Sequence, residues 1–377
     1  MANNNENKIL NVPHLRFPEF TGEWKKCVLQ DVVAFSNGKA HENCVNENGD
    51  YVLVNSKFVS TNGQVQKRVT SQLSPLCKSQ FVMVMSDLPN GKALAKCYYI
   101  EDDHKFTLNQ RICSFTAKDR NISRFLMYQI NRNKYYMRFD DGINQTNLKK
   151  SEVLSCPVFI PSIHEQEKIA TMLHLLDERI ATQTKIIEDL KKLKSAIRKR
   201  RFSLLKDEHT ESFEINQLLT YEQPTPYIVA NDEYSKDTTL IPVLTANKGF
   251  ILGYTDEDFG VYQKGECIIF DDFTMDAKYV SFPFKVKSSA IKILTARPCV
   301  NLRFMFEYLS YLELKSEEHK RHYISEIASL VIEVPSLKRQ NKIAFLMTSL
   351  DNKLTLEENA KLRYEDKKQY LLSQMFI

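Results

Sequence analysis

The sequence predicts an α+β protein in which two β-rich domains are separated by two long helices packed as an antiparallel coiled coil, with a pseudo-two-fold internal repeat. Three observations support this prediction. Residues 151–177 recur at 325–351, each copy runs on into a long uninterrupted helical pattern, and short β-rich runs precede each copy. Strands mixed with one or two helices per domain are typical of the α+β class.

The duplication is the strongest of these observations. The two segments are offset by 174 positions and agree at 11 of 27, where ordinary composition gives about two by chance. Both carry Pro-Ser, then Gln, Lys-Ile-Ala and Leu-Asp, beginning at Pro161 in one copy and Pro335 in the other. The offset exceeds the period of about 20–50 residues seen in solenoid repeats, so each copy is expected to be a domain with its helix.

The two β-rich domains are predicted as residues 1–161 and 207–335. Asn-Gly, Pro-Asn-Gly and Lys-Gly turns separate runs of strand-forming residues. These runs stand at 51–54, 80–85, 112–115, 266–270 and 290–294. Each domain also has an aromatic-rich helical stretch, Arg-Phe-Leu-Met-Tyr from Arg124 and Arg-Phe-Met-Phe-Glu from Arg303, which extends the duplication into both domains.

The first long helix is predicted over 162–206. Ser162, with Glu165 three residues later, predicts a capping box in which each side chain accepts the other residue's free backbone N–H. No Pro or Gly interrupts this range, and about 43 residues at 1.5 Å each give a helix about 64 Å long. Apolar residues recur at alternating steps of three and four, the heptad seam of a coiled coil, with Gln183 and Lys194 as its polar members.

The second long helix is predicted over 336–377, and its seam has polar residues at the same heptad positions. Adding 174 to the polar members of the first seam gives Glu357 and Lys368. Polar seam residues fix register and partner at some cost in stability, so we expect the two helices to pack on each other. The alternative is that each helix covers its own domain, which normally requires a broader apolar face.

Composition indicates a globular cytoplasmic protein. The 377 residues are 43% hydrophobic, enough for two ordinary cores. No apolar run approaches the roughly 20 residues that cross a bilayer, and the start MANNNENK lacks a secretory apolar stretch, so no membrane association is expected. The eight cysteines are scattered without a C-x-x-C pair, and no His cluster has metal-ligand spacing, so we expect reduced thiols and no metal site.

The net charge of +5 is unevenly distributed. Residues 1–163 carry 21 basic and 15 acidic side chains and residues 164–206 carry 11 and 6, whereas residues 207–337 carry 12 and 21. A basic first half favours a polyanion partner, because each neutralised phosphate releases counterions and strengthens binding. Contact of the acidic segment with nucleic acid would need a local basic face, or charge supplied by a partner protein.

Residues 13–20 read PHLRFPEF and are followed by Trp24. An Ile-Pro step at 160–161 and a Val-Pro step at 334–335 are each followed by Gln-x-x-Ile-Ala and Leu-Asp. These motifs resemble the usual start and the two central repeat helices of the specificity (S) subunit of type I restriction-modification systems, and the resemblance covers essentially the whole chain. The resemblance implies two target recognition domains, each reading one half of a split asymmetric site in double-stranded DNA.

The resemblance also implies partners. Two methyltransferase (modification) subunits would dock on the helices and methylate adenine N6 with S-adenosylmethionine, and restriction/translocase subunits would use ATP and Mg²⁺. The chain itself would be non-catalytic, with no cofactor of its own, and its helices would set the spacer between half-sites. A rigid helix pair suits this role, because two recognition surfaces can then lie on one face of B-DNA about one turn, roughly 34 Å, apart.

Catalytic motifs are absent from the sequence, with one weak exception. No [ND]-P-P-[YF] methyltransferase loop, G-x-x-x-x-G-K-[ST] P-loop or G-x-G-x-x-G turn occurs. Asp258, Asp276 and Lys278 have the order of a D…[DE]-x-K site, where two carboxylates hold a divalent ion, so a stand-alone metal-dependent DNA nuclease is the alternative function. The first half has no counterpart, which favours a turn. A coiled-coil scaffold without DNA affinity is a third hypothesis.

Polar loops between strands are the predicted DNA contacts, because Arg, Lys, Asn and Gln can form bidentate bonds to base edges in the major groove. In the first domain these are Asn144, Gln145, Thr146, Asn147, Lys149 and Lys150, then Asn55, Lys57, Asn62, Gln64, Lys67, Arg68, Asn90 and Lys92. In the second domain they are Asn247, Lys248, Lys278, Lys320, Arg321, His322 and Tyr323, of which 320–323 take the place of loop 144–147. The alternative for any single residue is an ordinary solvated turn.

Overall fold

The computed structural model describes residues 11–89, 91–207, 209–245, 249–314 and 323–377 of the chain. These fall into two compact units. Unit 1 comprises Met1–Thr182 and Lys361–Ile377, and unit 2 comprises Gln183–Ala360. Each unit contains one β-rich domain and part of each long helix.

Unit 1 has a four-stranded antiparallel sheet in the order β2-β9-β5-β7 and a three-stranded sheet β4-β3-β8, in which β3 and β8 are parallel. Two short antiparallel pairs, β1-β11 and β6-β10, complete it. The bounds are β1 Lys25–Val28, α1 Leu29–Val32, β2 Val33–Asn37, β3 Tyr51–Val54, α2 Ser56–Ser60, β4 Arg68–Val69, β5 Phe81–Val84, β6 Ser86–Asp87, β7 Cys97–Tyr99, β8 Phe106–Leu108, β9 Ile112–Ala117, α3 Ser123–Ile130, α4 Lys134–Met137, β10 Thr146–Asn147, α5 Lys150–Leu154, β11 Pro157–Ile160 and α6 Ile163–Ser203.

Unit 2 repeats both sheets and the β1–β11 strand pair of unit 1. Its sheets run β13-β19-β16-β17 and β15-β14-β18, with β14 and β18 parallel, and β12 pairs with β20 as β1 pairs with β11. The bounds are β12 Thr210–Glu214, α7 Ile215–Leu218, β13 Leu219–Glu222, β14 Ile241–Leu244, β15 Ile251–Thr255, β16 Cys267–Asp271, β17 Ala277–Val280, β18 Lys285–Val286, β19 Ile291–Ala296, α8 Leu302–Tyr311, β20 Val331–Pro335 and α9 Leu337–Met375. The predicted duplication therefore extends to both sheets and to one short strand pair of the domain.

In each four-stranded sheet, one of the two inner strands, β5 or β16, is buried on both faces. Side chains alternate along a strand, so in β5 Phe81 and Met83 enter one hydrophobic cluster while Val82 and Val84 enter another. In β16, Ile268 and Phe270 enter one cluster, whereas Cys267 and Ile269 enter another. Both strands consequently read as continuous apolar runs rather than alternating ones.

The long helices pack on each other within each unit. In unit 2, Gln183 of α6 contacts Glu357 of α9, and the Lys194 ammonium lies 2.5 Å from the Asp351 carboxylate. Residue numbers therefore increase along α6 as they decrease along α9, so the two helices are antiparallel. In unit 1, Lys368 lies 2.5 Å from Asp177. The ion pairs join equivalent positions, since Lys368 stands 174 residues after Lys194 and Asp351 stands 174 after Asp177. The predicted antiparallel helix pair is confirmed.

Each helix is joined to its domain by a buried glutamine. The Gln166 side chain, 1% exposed, accepts from the backbone N–H of Ile122 at 2.9 Å and donates to the Pro161 carbonyl at 3.1 Å. Its counterpart Gln340 accepts from Asn301 at 2.8 Å and donates to the Pro335 carbonyl at 2.9 Å. Ile122 and Asn301 are the N-cap residues of α3 and α8, so both amides link the start of a long helix to the aromatic helix of its domain.

The capping box predicted at Ser162 and Glu165 is only half formed. Ser162 Oγ accepts the Glu165 N–H at 3.3 Å. The Glu165 carboxylate, 1% exposed, instead accepts from Arg16 at 2.7 and 2.8 Å and from the Trp24 indole at 3.3 Å. A buried carboxylate is stabilised more by a bidentate guanidinium than by one backbone N–H, so Arg16 captures it.

Candidate nucleic-acid interface

Two of the predicted contact segments meet in unit 1. Antiparallel pairing of β6 with β10 sets Thr146 opposite Asp87 and Asn147 opposite Ser86. Ser86 Oγ donates to Asn147 Oδ1 at 2.7 Å, and Gln145 Nε2 donates to Ser86 Oγ at 2.8 Å. The pairing joins loop 140–147 to turn 88–94, and we call this surface the loop pair.

Asp87 organises one side of the loop pair. Its carboxylate accepts the backbone N–H groups of Leu88, Ala93 and Leu94 at 2.9, 2.6 and 3.1 Å. A Cβ added at Gly91 would lie 2.1 Å from Asp87 Oδ2, so glycine is required for this close approach. Lys92 is exposed in this turn. The predicted contact Asn90 lies outside the described residues.

Asp140 and Asp141 organise the other side. Asp141 Oδ1 accepts from the N–H groups of Ile143 and Asn144 at 2.9 and 2.8 Å, and Asn144 Nδ2 donates to Asp141 Oδ2 at 3.0 Å. These bonds, led by the one from the Asn144 backbone, lower the pKa of Asp141 to about 2. Asn144 and Gln145 are exposed at the tip, whereas Thr146 is only 7% exposed and supports the loop from beneath.

The segment 55–68 forms a second exposed surface of unit 1. Lys57, Asn62, Gln64 and Lys67 are exposed. Arg68 is also exposed, but its guanidinium donates to the Gly49 carbonyl at 3.1 Å. Asn55 has a structural task, since its Oδ1 caps α2 by accepting from Phe58 N–H at 2.9 Å. Lys96, the residue before β7, donates from its Nζ to the Ser60 carbonyl at 2.8 Å. This bond joins segment 55–68 to the start of β7.

Lys96 and Arg132 are additional cations beside the loop pair that the sequence interpretation missed. Arg132 donates to the Gly91 carbonyl at 3.5 Å, and burial together with the charges of Arg132 and Lys368 lowers the pKa of Lys96. The polar run Asn131-Arg132-Asn133-Lys134 after α3 was a usable signal. Lys96 follows turn 88–94 by two residues in the sequence, and its ammonium donates to the Ser60 carbonyl.

Lys149 and Lys150 begin α5, beyond the loop pair. The Lys149 N–H donates to Glu152 at 2.7 Å. The Lys150 ammonium lies 5.2 Å from the ring centroid of Phe35 in β2. Both side chains are exposed, but no contact joins them to the loop pair among the described residues.

Unit 2 has a turn that corresponds to the one after β6. Asp271 at the end of β16 accepts from the N–H groups of Phe273 and Thr274 at 2.9 and 3.2 Å. The Tyr323 N–H donates to Asp272 Oδ1 at 2.8 Å, so the chain returns to the end of this strand as β10 returns to β6. The predicted contacts Asn247, Lys248, Lys320, Arg321 and His322 lie outside the described residues.

Two predicted DNA contacts of unit 2, Tyr323 and Lys278, have positions that do not favour contact with DNA. Tyr323 is 2% exposed and packs on Phe270 and Tyr221, with ring centroids 5.5 and 5.7 Å away, so the core encloses the side chain that was expected on the surface. The Lys278 ammonium is paired with Asp276 at 2.7 Å, so phosphate contact would compete with this ion pair. The burial of Tyr323 depends on distant neighbours that the loop composition does not reveal, whereas the partner of Lys278 is only two residues away in the sequence.

The nuclease alternative gains no support. Asp276 is paired with Lys278, and Asp258 is an exposed residue. Within the described ranges, no three His, Cys, Asp or Glu side chains come together in a group that could hold a metal ion. Across the same ranges, no helix has both the length and the apolarity required to cross a membrane.

Comparison with known proteins gives consistent matches. The family model described as the type I restriction modification DNA specificity domain matches twice, at residues 21–192 and 207–364. The specificity subunit of the type I restriction enzyme EcoR124I/EcoR124II of Escherichia coli is 40% identical over 185 residues, 44% of this chain and 44% of that protein. A putative type I restriction enzyme MjaX specificity subunit of Methanocaldococcus jannaschii is 22% identical over 261 residues, 62% of this chain and 61% of that protein. The chain thus spans less than two thirds of either relative.

Solved structures match over nearly the full length. A type I restriction-modification S subunit from M. genitalium superposes with a TM-score of 0.70 at 16% identity, covering 97% of this chain and 99% of that one. A chain from a structural study of type I restriction-modification complex assembly and conformational transition gives a TM-score of 0.50 at 14% identity, covering 93% and 96%. At these identities the likeness concerns the fold.

Proposed function

This chain belongs to the type I restriction-modification DNA specificity family as a specificity subunit with two tandem recognition domains, and on that premise we propose that each domain reads one half of a split asymmetric site in double-stranded DNA. The loop pair of unit 1 carries the proposal. It presents side-chain amides at an exposed tip beside Lys92 and Arg132. Amides can bond base edges, and the cations hold the flanking phosphates.

The anchoring of the loop pair supports readout rather than loose electrostatic attraction. Asp87 and Asp141 each fix backbone N–H groups of their own turn, so the exposed amides start from a defined backbone geometry. Preorganised donors and acceptors lose less entropy on binding and discriminate better between bases. In unit 2, Asp271 fixes the corresponding turn in the same manner.

The helix pair is proposed to set the spacer and to dock the partner subunits. Helix α6 is continuous over 41 residues, about 60 Å at 1.5 Å per residue. A polar seam member joins α6 to α9 in each unit, Gln183 to Glu357 in unit 2 and Lys368 to Asp177 in unit 1, which opposes sliding of one helix along the other. Two methyltransferase subunits would bind this region, and restriction/translocase subunits would join them. S-adenosylmethionine, ATP and Mg²⁺ would belong to those partners, and the complex would work in the cytoplasm without catalysis by this chain.

Exchange of one domain tests the proposal. Residues 25–160 are replaced by the first domain of another family member, and methylated adenines are mapped in host DNA carrying each version with its methyltransferase. The expected result is a change in one half-site with the other half and the spacer unchanged. A change in both halves would contradict the proposal.

Two further assays separate the other hypotheses. Incubation of the purified chain with Mg²⁺ and plasmid is expected to give no cutting, whereas a nuclease would cut. Gel-shift titration of the chain with its methyltransferase over a salt series is expected to show a steep negative slope, which a scaffold without DNA affinity would lack.

A further inference from the structure

Strand ends from both sheets of unit 1 meet at one place. β3 and β8 are parallel and end side by side, with Val54 opposite Leu108. β5 ends at Val84, which lies opposite Ile112, the first residue of β9. The residues that join β8 to β9, 109–111, therefore lie where β3 and β5 also end, and we call them the rim turn.

The rim turn is bonded on each side to a segment that carries predicted DNA contacts. The Asn109 N–H donates at 3.1 Å to the carbonyl of Val54, which directly precedes segment 55–68. The Arg111 carbonyl accepts at 3.0 Å from the N–H of Met85, which directly precedes β6 of the loop pair. The rim turn thus joins the two exposed surfaces of unit 1.

A glycine packs against the rim turn on a third side. The Gly38 N–H donates to the Ile112 carbonyl at 3.0 Å, and a Cβ added at Gly38 would lie 1.9 Å from the Asn109 carbonyl oxygen. Only glycine permits so close an approach of two backbone segments. The backbone on either side of Arg111 is therefore fixed by its neighbours.

Cationic side chains are exposed around the rim turn. Arg111 is exposed, and no ion pair or hydrogen bond of its guanidinium is found among the residues that the structure describes. A carboxylate also contacts the turn, but Glu42 accepts from Gln110 Nε2, at 2.6 Å. Lys39 after β2 and Lys57 after β3 are exposed as well. Arg111 can therefore reach a ligand, with two further cations at the same strand ends.

Unit 2 has the same backbone bond with a different side chain. The Asp272 N–H donates to the Ala290 carbonyl at 3.1 Å, as the Met85 N–H donates to the Arg111 carbonyl. Ala290 directly precedes β19, as Arg111 directly precedes β9. The backbone support of this turn is thus common to both units, whereas the guanidinium at this position belongs to unit 1. Loops that a rigid scaffold positions are where recognition residues vary.

We propose that Arg111 reads a guanine in the half-site recognised by unit 1, through two parallel hydrogen bonds from its guanidinium to O6 and N7. The proposal rests on the proposed function and adds a specificity-determining residue to it. A bidentate bond needs a defined starting geometry, which the fixed backbone supplies. A phosphate needs only a nearby positive charge, and Lys39 and Lys57 provide one at the same strand ends. Ala290 gives unit 2 no such contact at the equivalent position.

Substitution by glycine tests the proposal. Arg111 has a φ of +65°, which glycine adopts freely, so Arg111→Gly removes the side chain and keeps the turn. The chain with its methyltransferase is bound to duplexes randomised at both half-sites, and the bound duplexes are sequenced over a salt series. Arg111→Gly is expected to reduce the preference for guanine at one position of one half-site by about tenfold or more.

Arg120 provides a matched control. It is also an exposed arginine with a left-handed backbone, φ +62°, but it lies beyond the opposite end of β9. Arg120→Gly removes the same charge from the same domain and is expected to leave the preference at every position unchanged.

Three outcomes would overturn the proposal. If Arg111→Gly weakens binding to all sequences alike and lowers the salt slope by about one, Arg111 contacts a phosphate. If it relaxes every position of the half-site, or if Arg120→Gly relaxes the same position equally, the side chain supports the domain rather than reading a base. A wild-type chain without preference in either half-site contradicts the proposed function, whereas a wild-type preference that survives Arg111→Gly contradicts this inference alone.

Discussion

Gln183 donates one hydrogen bond to the backbone carbonyl of Glu357, at 3.3 Å, and another to the Glu357 side chain. Glu357 stands 174 residues after Gln183 and is its counterpart in the second copy of the repeat. A residue meets its own counterpart where two copies of a helix pack antiparallel at matching positions. This contact identifies the register of α6 against α9 in unit 2.

Replacing both Gln183 and Glu357 by Leu is expected to raise the free energy of unfolding by about 1 kcal/mol, because a polar pair in the seam is exchanged for apolar packing. Glu357→Leu alone is expected to lower it by about 1 kcal/mol, since the Gln183 amide, 9% exposed, loses its side-chain acceptor. Urea unfolding of the full chain measures both variants. A double variant less stable than the single one would contradict this account.

Gln166→Ala and Gln340→Ala are each expected to cost about 1–3 kcal/mol, because each leaves a backbone N–H and a proline carbonyl unsatisfied in the interior. Chemical denaturation measures the loss. The exposed residue Gln64 provides a control, and Gln64→Ala is expected to change stability by less than about 0.5 kcal/mol. Equal effects of all three substitutions would refute the linking role of the buried pair.

Asp141 is expected to give the loop pair a defined pH dependence. Its pKa is lowered in the folded chain to about 2, because the ionised carboxylate holds the backbone N–H groups of Ile143 and Asn144. The stabilisation of the loop by this carboxylate is therefore complete above the ordinary carboxyl pKa near 4 and is lost as pH falls through about 2. Asp141→Asn is expected to speed hydrogen exchange of the Ile143 and Asn144 amides at neutral pH. Unchanged exchange at these two amides would show that the carboxylate does not order the loop.

Gln145→Ala and Asn144→Ala are expected to relax base preference in one half-site only, by about 1–3 kcal/mol for each lost bidentate contact. Lys92→Ala is expected to weaken binding to all sequences alike and to reduce the salt slope by about one. Binding of the chain with its methyltransferase to a randomised site library measures both effects. Gln30→Ala, an exposed position away from the loop pair, is expected to change neither.

Insertion of one heptad at matching points of α6 and α9 is expected to lengthen the helix pair by about 10 Å and the recognised spacer by about three base pairs. Both half-site sequences are expected to stay the same, because neither recognition domain is altered. Methylation mapping reads the spacer directly. An insertion in α6 alone is the control, since it breaks the seam register and is expected to abolish methylation.

Several side-chain positions depend on contacts between residues far apart in the sequence, which the local sequence could not show. Ser162 was placed correctly at the helix start, but Glu165 is held by Arg16, a residue 149 positions away. Tyr323 was expected on the surface and lies in a core of aromatic side chains. Arg132 lies beside the loop pair because its guanidinium donates to the carbonyl of Gly91, a residue 41 positions away.

The sequence alone determined the duplication, the two long helices and the polar positions of their seam, because helical periodicity and an internal repeat are patterns that a chain displays without folding. Tertiary structure decided which charged groups pair and which loop residues stay exposed. Those outcomes depend on contacts between segments far apart in the chain. The balance of desolvation and pairing at each buried charge is fixed only when such segments meet.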